Sequence, residues 1–213
     1  MNKQQIKKVP FIDKICKIKC PNYDFLLSKV SFEYTSSNLN EIKCMLLGAN
    51  PGKDEAIVGR PFIGKSGRFL RECLEEVDFP HSVIANAVLC STNDTSSIPN
   101  FNECLKICSI HWFYVLKKIQ NIKCLICLGQ VAYQSVRYAF KLNKSHKKIK
   151  FSQFNYFGKV KRKDVEVDLF VIPHPSYFVR KGYDKETYCS YLLKILNFLN
   201  KEENISEKLN NLF

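Results

Sequence analysis

Four short apolar runs, three helical patterns between them and a fourth after the last predict an α/β protein. The expected architecture is a three-layer α/β/α sandwich with a central four-stranded, mainly parallel sheet. The runs are 43–47, 82–89, 123–128 and 168–172. Each is apolar at nearly every position, as parallel strands covered on both faces tend to be. Helical spacing occupies 65–77, 101–120 and 130–140 between the strands, and 185–199 after them. Such alternation implies right-handed crossovers.

Taken in order, Met45-Leu46-Leu47 is the core of a buried strand that ends at Gly48. The helix at 65–77 opens behind Gly64, and the strand at 82–89 runs into Cys90. A long helix at 101–120 precedes the strand 123–128, and Leu128-Gly129 marks the turn into the helix 130–140. The highly basic stretch 141–165 reads as a loop or hairpin, with Phe151–Phe157 pairing with 165–172. Residues 200–213 are polar and are expected to form a loosely held tail.

A chain of 213 residues without repeat or linker suits a single domain spanning 1–213. A formal charge of +13 suggests a polyanionic partner, although Lys-rich, Asn- and Ile-rich composition also follows from an AT-rich genome. No apolar run approaches the ~20 residues needed to cross a bilayer. The N-terminus, Met1-Asn2-Lys3-Gln4-Gln5, has no apolar signal core, so the protein is expected to be intracellular, in the cytoplasm or nucleoid, and not secreted. Ten cysteines in such a chain point to metal or core positions, not disulfides. Cys124 and Cys127 imitate a redox pair, but residues three apart in a strand face opposite ways, which places them in the core.

Gly48-Ala49-Asn50-Pro51-Gly52 leaves the first strand, followed by Gly59-Arg60-Pro61-Phe62 and Gly64-Lys65-Ser66-Gly67. More than a hundred residues later, His174-Pro175-Ser176-Tyr177-Phe178-Val179-Arg180 leaves the strand 168–172. Both segments sit at the carboxyl edge, where open α/β sheets bind ligands. Glycine and proline let backbone approach a ligand, while Asn50, Phe62 and His174 supply an amide, a flat apolar face and an imidazole. Those groups suit a planar heterocycle and a water molecule. The two segments resemble the active-site motifs of the uracil-DNA glycosylase superfamily, and the chain is most similar to its family 4, the iron–sulfur type. Ile84–Cys90, Lys106-Ile107-Cys108 with Trp112, and Leu128-Gly129 with Val131-Ala132 extend the resemblance from about Cys16 to Leu199. Five ordered blocks at near-constant spacing make it far more specific than one glycine-rich turn.

The resemblance implies a monofunctional DNA repair enzyme that hydrolyses the N-glycosidic bond of a flipped-out uracil and leaves an abasic site. Ala49, Phe62 and Asn86 are the implied base-binding positions, with Phe62 stacking and Asn86 reading N3–H and O4. His174 would donate to uracil O2. Ser66, Ser176, Tyr177, Phe178 and Arg180 are implied DNA contacts, with Tyr177, Phe178 and Val179 forming a wedge. Family 4 carries glutamate where this chain has Ala49. Asn50 instead resembles the asparagine that orients water in the mismatch-specific and single-strand-selective branches, with Asp54 or Glu55 as helper. The alternatives are a weak or inactive DNA-binding, damage-sensing relative, and a glycosylase for another base such as hypoxanthine.

Cys16, Cys20, Cys90 and Cys108 match the ligands of a structural [4Fe-4S] cluster, with Cys104 as a rival for the last. They would make residues 1–40 a cluster-binding segment. The N-terminal pair is Cys-x3-Cys where the family has Cys-x2-Cys; either a loop absorbs the extra residue, or the cluster is lost or replaced by zinc. DNA containing uracil is the implied partner, and the protein is expected to act as a monomer.

Overall fold

The computed structural model describes residues 16–17, 19–21, 30, 32–91, 100–142 and 149–210. Most of the N-terminal segment 1–40, residues 143–148 of the basic stretch, and 211–213 of the tail lie outside the described residues. The strands are β1 (Glu33–Tyr34), β2 (Cys44–Gly48), β3 (Ser82–Asn86), β4 (Cys124–Leu128), β5 (Asn155–Arg162) and β6 (Val165–Ile172). The helices are α1 (Lys53–Val58), α2 (Lys65–Glu76), α3 (Phe101–Lys118), α4 (Gln130–Phe140), α5 (Pro175–Lys181) and α6 (Lys185–Asn210).

The sheet has six strands in the order β1-β3-β2-β4-β6-β5. The four expected strands form its parallel centre, and β1 and β5 pair antiparallel at the two edges. Strand alternation sorts the core into two layers. Met45, Leu47, Val83, Ala85, Leu125, Cys127 and Leu169 pack with α3 and α4. Cys44, Leu46, Ile84, Cys124, Ile126 and Phe170 pack with α2 and α6. Cys124 and Cys127 thus lie on opposite faces, as period-two geometry requires. Within the α3–α4 layer, Trp112 Nε1 on α3 donates to Ser135 Oγ on α4 at 3.0 Å.

Three local details depart from expectation. The hairpin partner of β6 is 155–162, not 151–157, because Lys163 at φ 54° and Asp164 close a two-residue turn between β5 and β6. The polar tail does not detach at residue 200: α6 runs on to Asn210, since Lys201–Asn210 contains neither glycine nor proline to stop it. Two short helices beside the site, α1 and α5, lack the length for a periodic signal. Each ends on a left-handed glycine, Gly59 at φ 74° and Gly182 at φ 64°. No described helix is long and apolar enough to cross a membrane.

Candidate active site

β2, β3, β4 and β6 all point their carboxyl ends to one edge, and the chain leaves β2 for β3 on one side and returns to β4 on the other. That reversal opens a crevice at a topological switch point. The cleft there has a volume of about 400 Å³ and is lined by Asn50, Phe62, Ser66, Asn86, His174, Ser176 and Arg180, among others. Seven residues singled out from sequence therefore meet in one place.

Gly48 ends β2 opposite Asn86 in register. A methyl group there would overlap both the Phe62 ring and Asn86 Oδ1, so glycine lets the ring and the amide lie side by side. Val88 then donates its N–H to the Ala49 carbonyl at 2.9 Å, which fixes Ala49 by backbone alone. Asn50 follows, and its Nδ2 donates to the Pro51 carbonyl at 3.1 Å. This uses one of the two amide N–H donors, and Oδ1 is the acceptor.

Glu55 is a hub of the site. It is 9% exposed, and its carboxylate accepts the N–H groups of Gly52 at 3.0 Å, Ile63 at 3.0 Å and Gly64 at 2.9 Å. One side chain thereby joins the loop carrying Asn50 to the loop carrying Phe62. The signal for this was in the sequence: Gly52-x-x-Glu55 has the spacing of an acid capping its own helix start. Lys53, Lys65 and Val179 also line the cleft. The two lysines immediately follow the glycines that open α1 and α2, so they face the same edge as the glycine motifs.

His174 is the N-cap of α5. Its Nδ1 accepts the Ser176 N–H at 3.2 Å, with the Ser176 hydroxyl 2.8 Å away. An N–H can only donate, so Nδ1 is the acceptor and the neutral ring carries its proton on Nε2. Burial, and then the positive charge of Arg180, hold its pKa down from 6.5 to about 4. The imidazole is therefore an uncharged donor throughout the neutral range. A methyl on Gly129 would press on His174 Cβ at 3.1 Å, so the β4–α4 turn supports the ring from behind. The Phe62 and His174 rings stand 6.2 Å apart between centroids, tilted by 32°.

The sign of that shift gives a pH prediction. Between about pH 4 and 6.5 the unfolded chain binds a proton that the folded His174 refuses. Its contribution to stability is complete above pH 6.5 and is lost as pH falls towards 4. A melting series should show Tm falling across that window in the wild type, and falling less in His174→Gln. An identical fall in both would assign the loss to other groups.

Not every expected residue reaches the cleft. Ala49 and Tyr177 are not among its lining residues. Phe178 corrects the wedge expectation: it is 2% exposed and packs edge-on against Tyr188 at 5.1 Å, in the core between α2 and α6. The helical period of α5 turns Phe178 inward, while Val179 and Arg180 reach the cleft.

A second cluster lies where the N-terminal segment meets α3. Cys16, Cys20, Cys90, Cys104 and Cys108 are all buried. Cys16 Sγ lies 3.4 Å from His111 Nε2, and Cys20 Sγ lies 3.9 Å from Cys104 Sγ. Burial pushes the Cys108 thiol up, the Leu89 backbone works against this, and neighbouring Cys90, Cys16 and Cys20 add to it. Cys104, one helical turn from Cys108, thus lies beside Cys20, and His111 lies beside Cys16. Among the described residues no group of three or more such side chains is arranged to hold a metal ion. In donor type and burial the thiols suit a thiolate-bound group.

An open, mainly parallel sheet thus brings an aromatic ring, an amide and a neutral imidazole together at its carboxyl edge. The Uracil DNA glycosylase superfamily matches residues 36–200, and the chain belongs to that superfamily. It is 26% identical over 190 residues to the type-4 uracil-DNA glycosylase of Archaeoglobus fulgidus, covering 83% of this chain and 87% of that protein.

Proposed function

We propose that this protein is a monofunctional DNA glycosylase that hydrolyses the N-glycosidic bond of uracil in DNA. The observation that carries the reading is the neutral, Nε2-protonated His174 sharing one cleft with Phe62 and Asn86. Nucleic-acid binding alone requires none of these three.

The target nucleotide leaves the helix and its base stacks on Phe62. The Asn86 carbonyl accepts from N3–H and its NH2 donates to O4, a pairing that cytosine inverts at both atoms. As the C1′–N1 bond breaks, its electron pair passes to the base and positive charge develops on the sugar. His174 Nε2–H donates to O2, where the negative charge collects, and so stabilises the departing anion more than the substrate. Asn50 Oδ1 accepts a hydrogen bond from water and places its oxygen to add at C1′. An amide is too weak a base to deprotonate that water beforehand, but addition to an oxocarbenium-like centre depends on placement. After addition the water proton passes to solvent, and the uracil anion leaves the pocket and is protonated from solvent. Lys53, Lys65 and Arg180 on the rim fit the flanking phosphates.

Cys16, Cys20, Cys90 and Cys108 would hold a [4Fe-4S] cluster, which supplies no step of the reaction and ties the N-terminal segment to α3 and the end of β3. Purified protein is then expected to be straw-brown, with broad visible absorbance and about four irons per chain. A colourless, zinc-containing anaerobic preparation would refute this assignment.

Ala49 favours a second reading. It removes the carboxylate that family 4 carries beside the water, and a basic protein without turnover would be a DNA-binding damage sensor. A gel assay decides between them: labelled oligonucleotides with uracil, single-stranded or opposite G or A, are incubated and cut with alkali. Hypoxanthine and undamaged strands run alongside. Strand scission at uracil alone supports the glycosylase; tight binding without scission supports the sensor.

A further inference from the structure

The Phe62 backbone is held in an unusual state by groups that never touch the cleft. Its φ is 55°, in the left-handed region that non-glycine residues seldom adopt. From one side α2 presses close, since a methyl on Gly67 would overlap the Phe62 carbonyl. From the other, Arg71 donates Nε to the Phe62 carbonyl and Nη2 to the Pro61 carbonyl, both at 2.8 Å. The same guanidinium pairs with Glu33 through Nη2 at 2.6 Å and Nη1 at 3.0 Å. Arg60, two residues before Phe62, grips the same carboxylate at 2.7 and 2.8 Å.

Glu33 therefore accepts two forked guanidiniums at once, one from within the loop that presents the aromatic ring and one from the helix behind it. Burial works to raise its pKa, but Arg60 and Arg71 outweigh it and hold the carboxyl below its ordinary value. It lies on β1, in register with Ile84 two residues before Asn86 on β3. Three residues upstream, the Val30 N–H bonds the carbonyl of Leu89, the neighbour of Cys90. Arg60 is 55% exposed, so its pair contributes little to stability, whereas the Glu33–Arg71 pair is mostly buried, with side chains 16% and 25% exposed. Arg71 holds the Pro61 and Phe62 carbonyls in place while Glu33 holds Arg71.

We propose that Glu33, acting through Arg71 and Arg60, is a positioning residue that sets the Phe62 ring against the base-reading strand β3. The inference rests on the reading of Phe62 as the platform for the extruded base. Through Glu33 the two-residue edge strand is tied to the loop that carries Phe62.

A double-mutant cycle on the full chain tests it. Glu33→Gln keeps the shape and loses the charge that orders both guanidiniums. Single-turnover excision should slow by roughly 10- to 100-fold, the scale of an ångström-level misplacement. In a Phe62→Leu background the same change should slow it by less than about 2-fold, because the ring it positions is gone. Glu33→Asp should recover part of the rate. Equal slowing in both backgrounds, or an unchanged Glu33→Gln rate, overturns the proposal. Should Glu33→Gln fail to fold, Arg71→Lys carries the same cycle, since an ammonium cannot reach both carbonyls and the carboxylate. Affinity for a uracil strand relative to its thymine counterpart is read in parallel. Loss of that preference in Glu33→Gln, with unspecific affinity retained, supports the positioning role even if the wild type binds without cutting. In that case only the catalytic reading fails. A preserved preference contradicts the proposal.

Discussion

Replacing His174 with alanine is expected to slow single-turnover excision of uracil by about 10²- to 10³-fold, the effect of removing one oxyanion-type donor, ~2.7–4 kcal/mol. With Nδ1 accepting the Ser176 N–H and the pKa held near 4, the neutral imidazole has Nε2–H as its one donor. Negative charge reaches O2 late, as the glycosidic bond breaks, so the loss should fall on the chemical step and spare binding of the uracil strand. Rapid-quench kinetics with enzyme in excess measures it. An unchanged rate would remove His174 from the mechanism.

Asn86→Asp is expected to erode discrimination against cytosine, a barrier of roughly 10⁴ where a site is built to hydrogen-bond one base. Asn86 is 4% exposed at the end of β3, beside the bare backbone of Gly48. The amide offers one acceptor and one donor there. A carboxylate offers acceptors only, so it repels O4 of uracil and welcomes the exocyclic amine of cytosine. Uracil excision should fall and cytosine excision become detectable on otherwise identical single strands. Strict uracil preference at near wild-type rate would contradict the base-reading role.

What the sequence disclosed follows from the physics of each signal. β2, β3, β4 and β6 are buried on both faces, so continuous apolar runs announce them, and the glycine and proline motifs mark where each active loop departs. Phe62, Asn86 and His174 could be located because the motifs that carry them resemble those of a known family. Phe178 could not be separated from its neighbours, because a seven-residue helix is too short to show which side turns inward. Glu33 lies on a two-residue strand and acts through partners about thirty to forty residues away, at Arg60 and Arg71. No local pattern records such a convergence. Glu55 falls between these cases: its spacing from Gly52 was visible, but its bonds to Ile63 and Gly64 needed the fold.

The most direct measurement compares wild type with Asn50→Ala in single-turnover excision from a uracil-containing single strand. Asn50 lines the cleft with its Nδ2 donating to the Pro51 carbonyl, and the proposed mechanism assigns its Oδ1 to the attacking water. Scission at uracil by the wild type, lost by roughly two or more orders of magnitude in Asn50→Ala, is the predicted result. No scission by folded, cluster-bearing wild-type protein would contradict it and make Ala49 the substitution that turned a glycosylase into a binding protein.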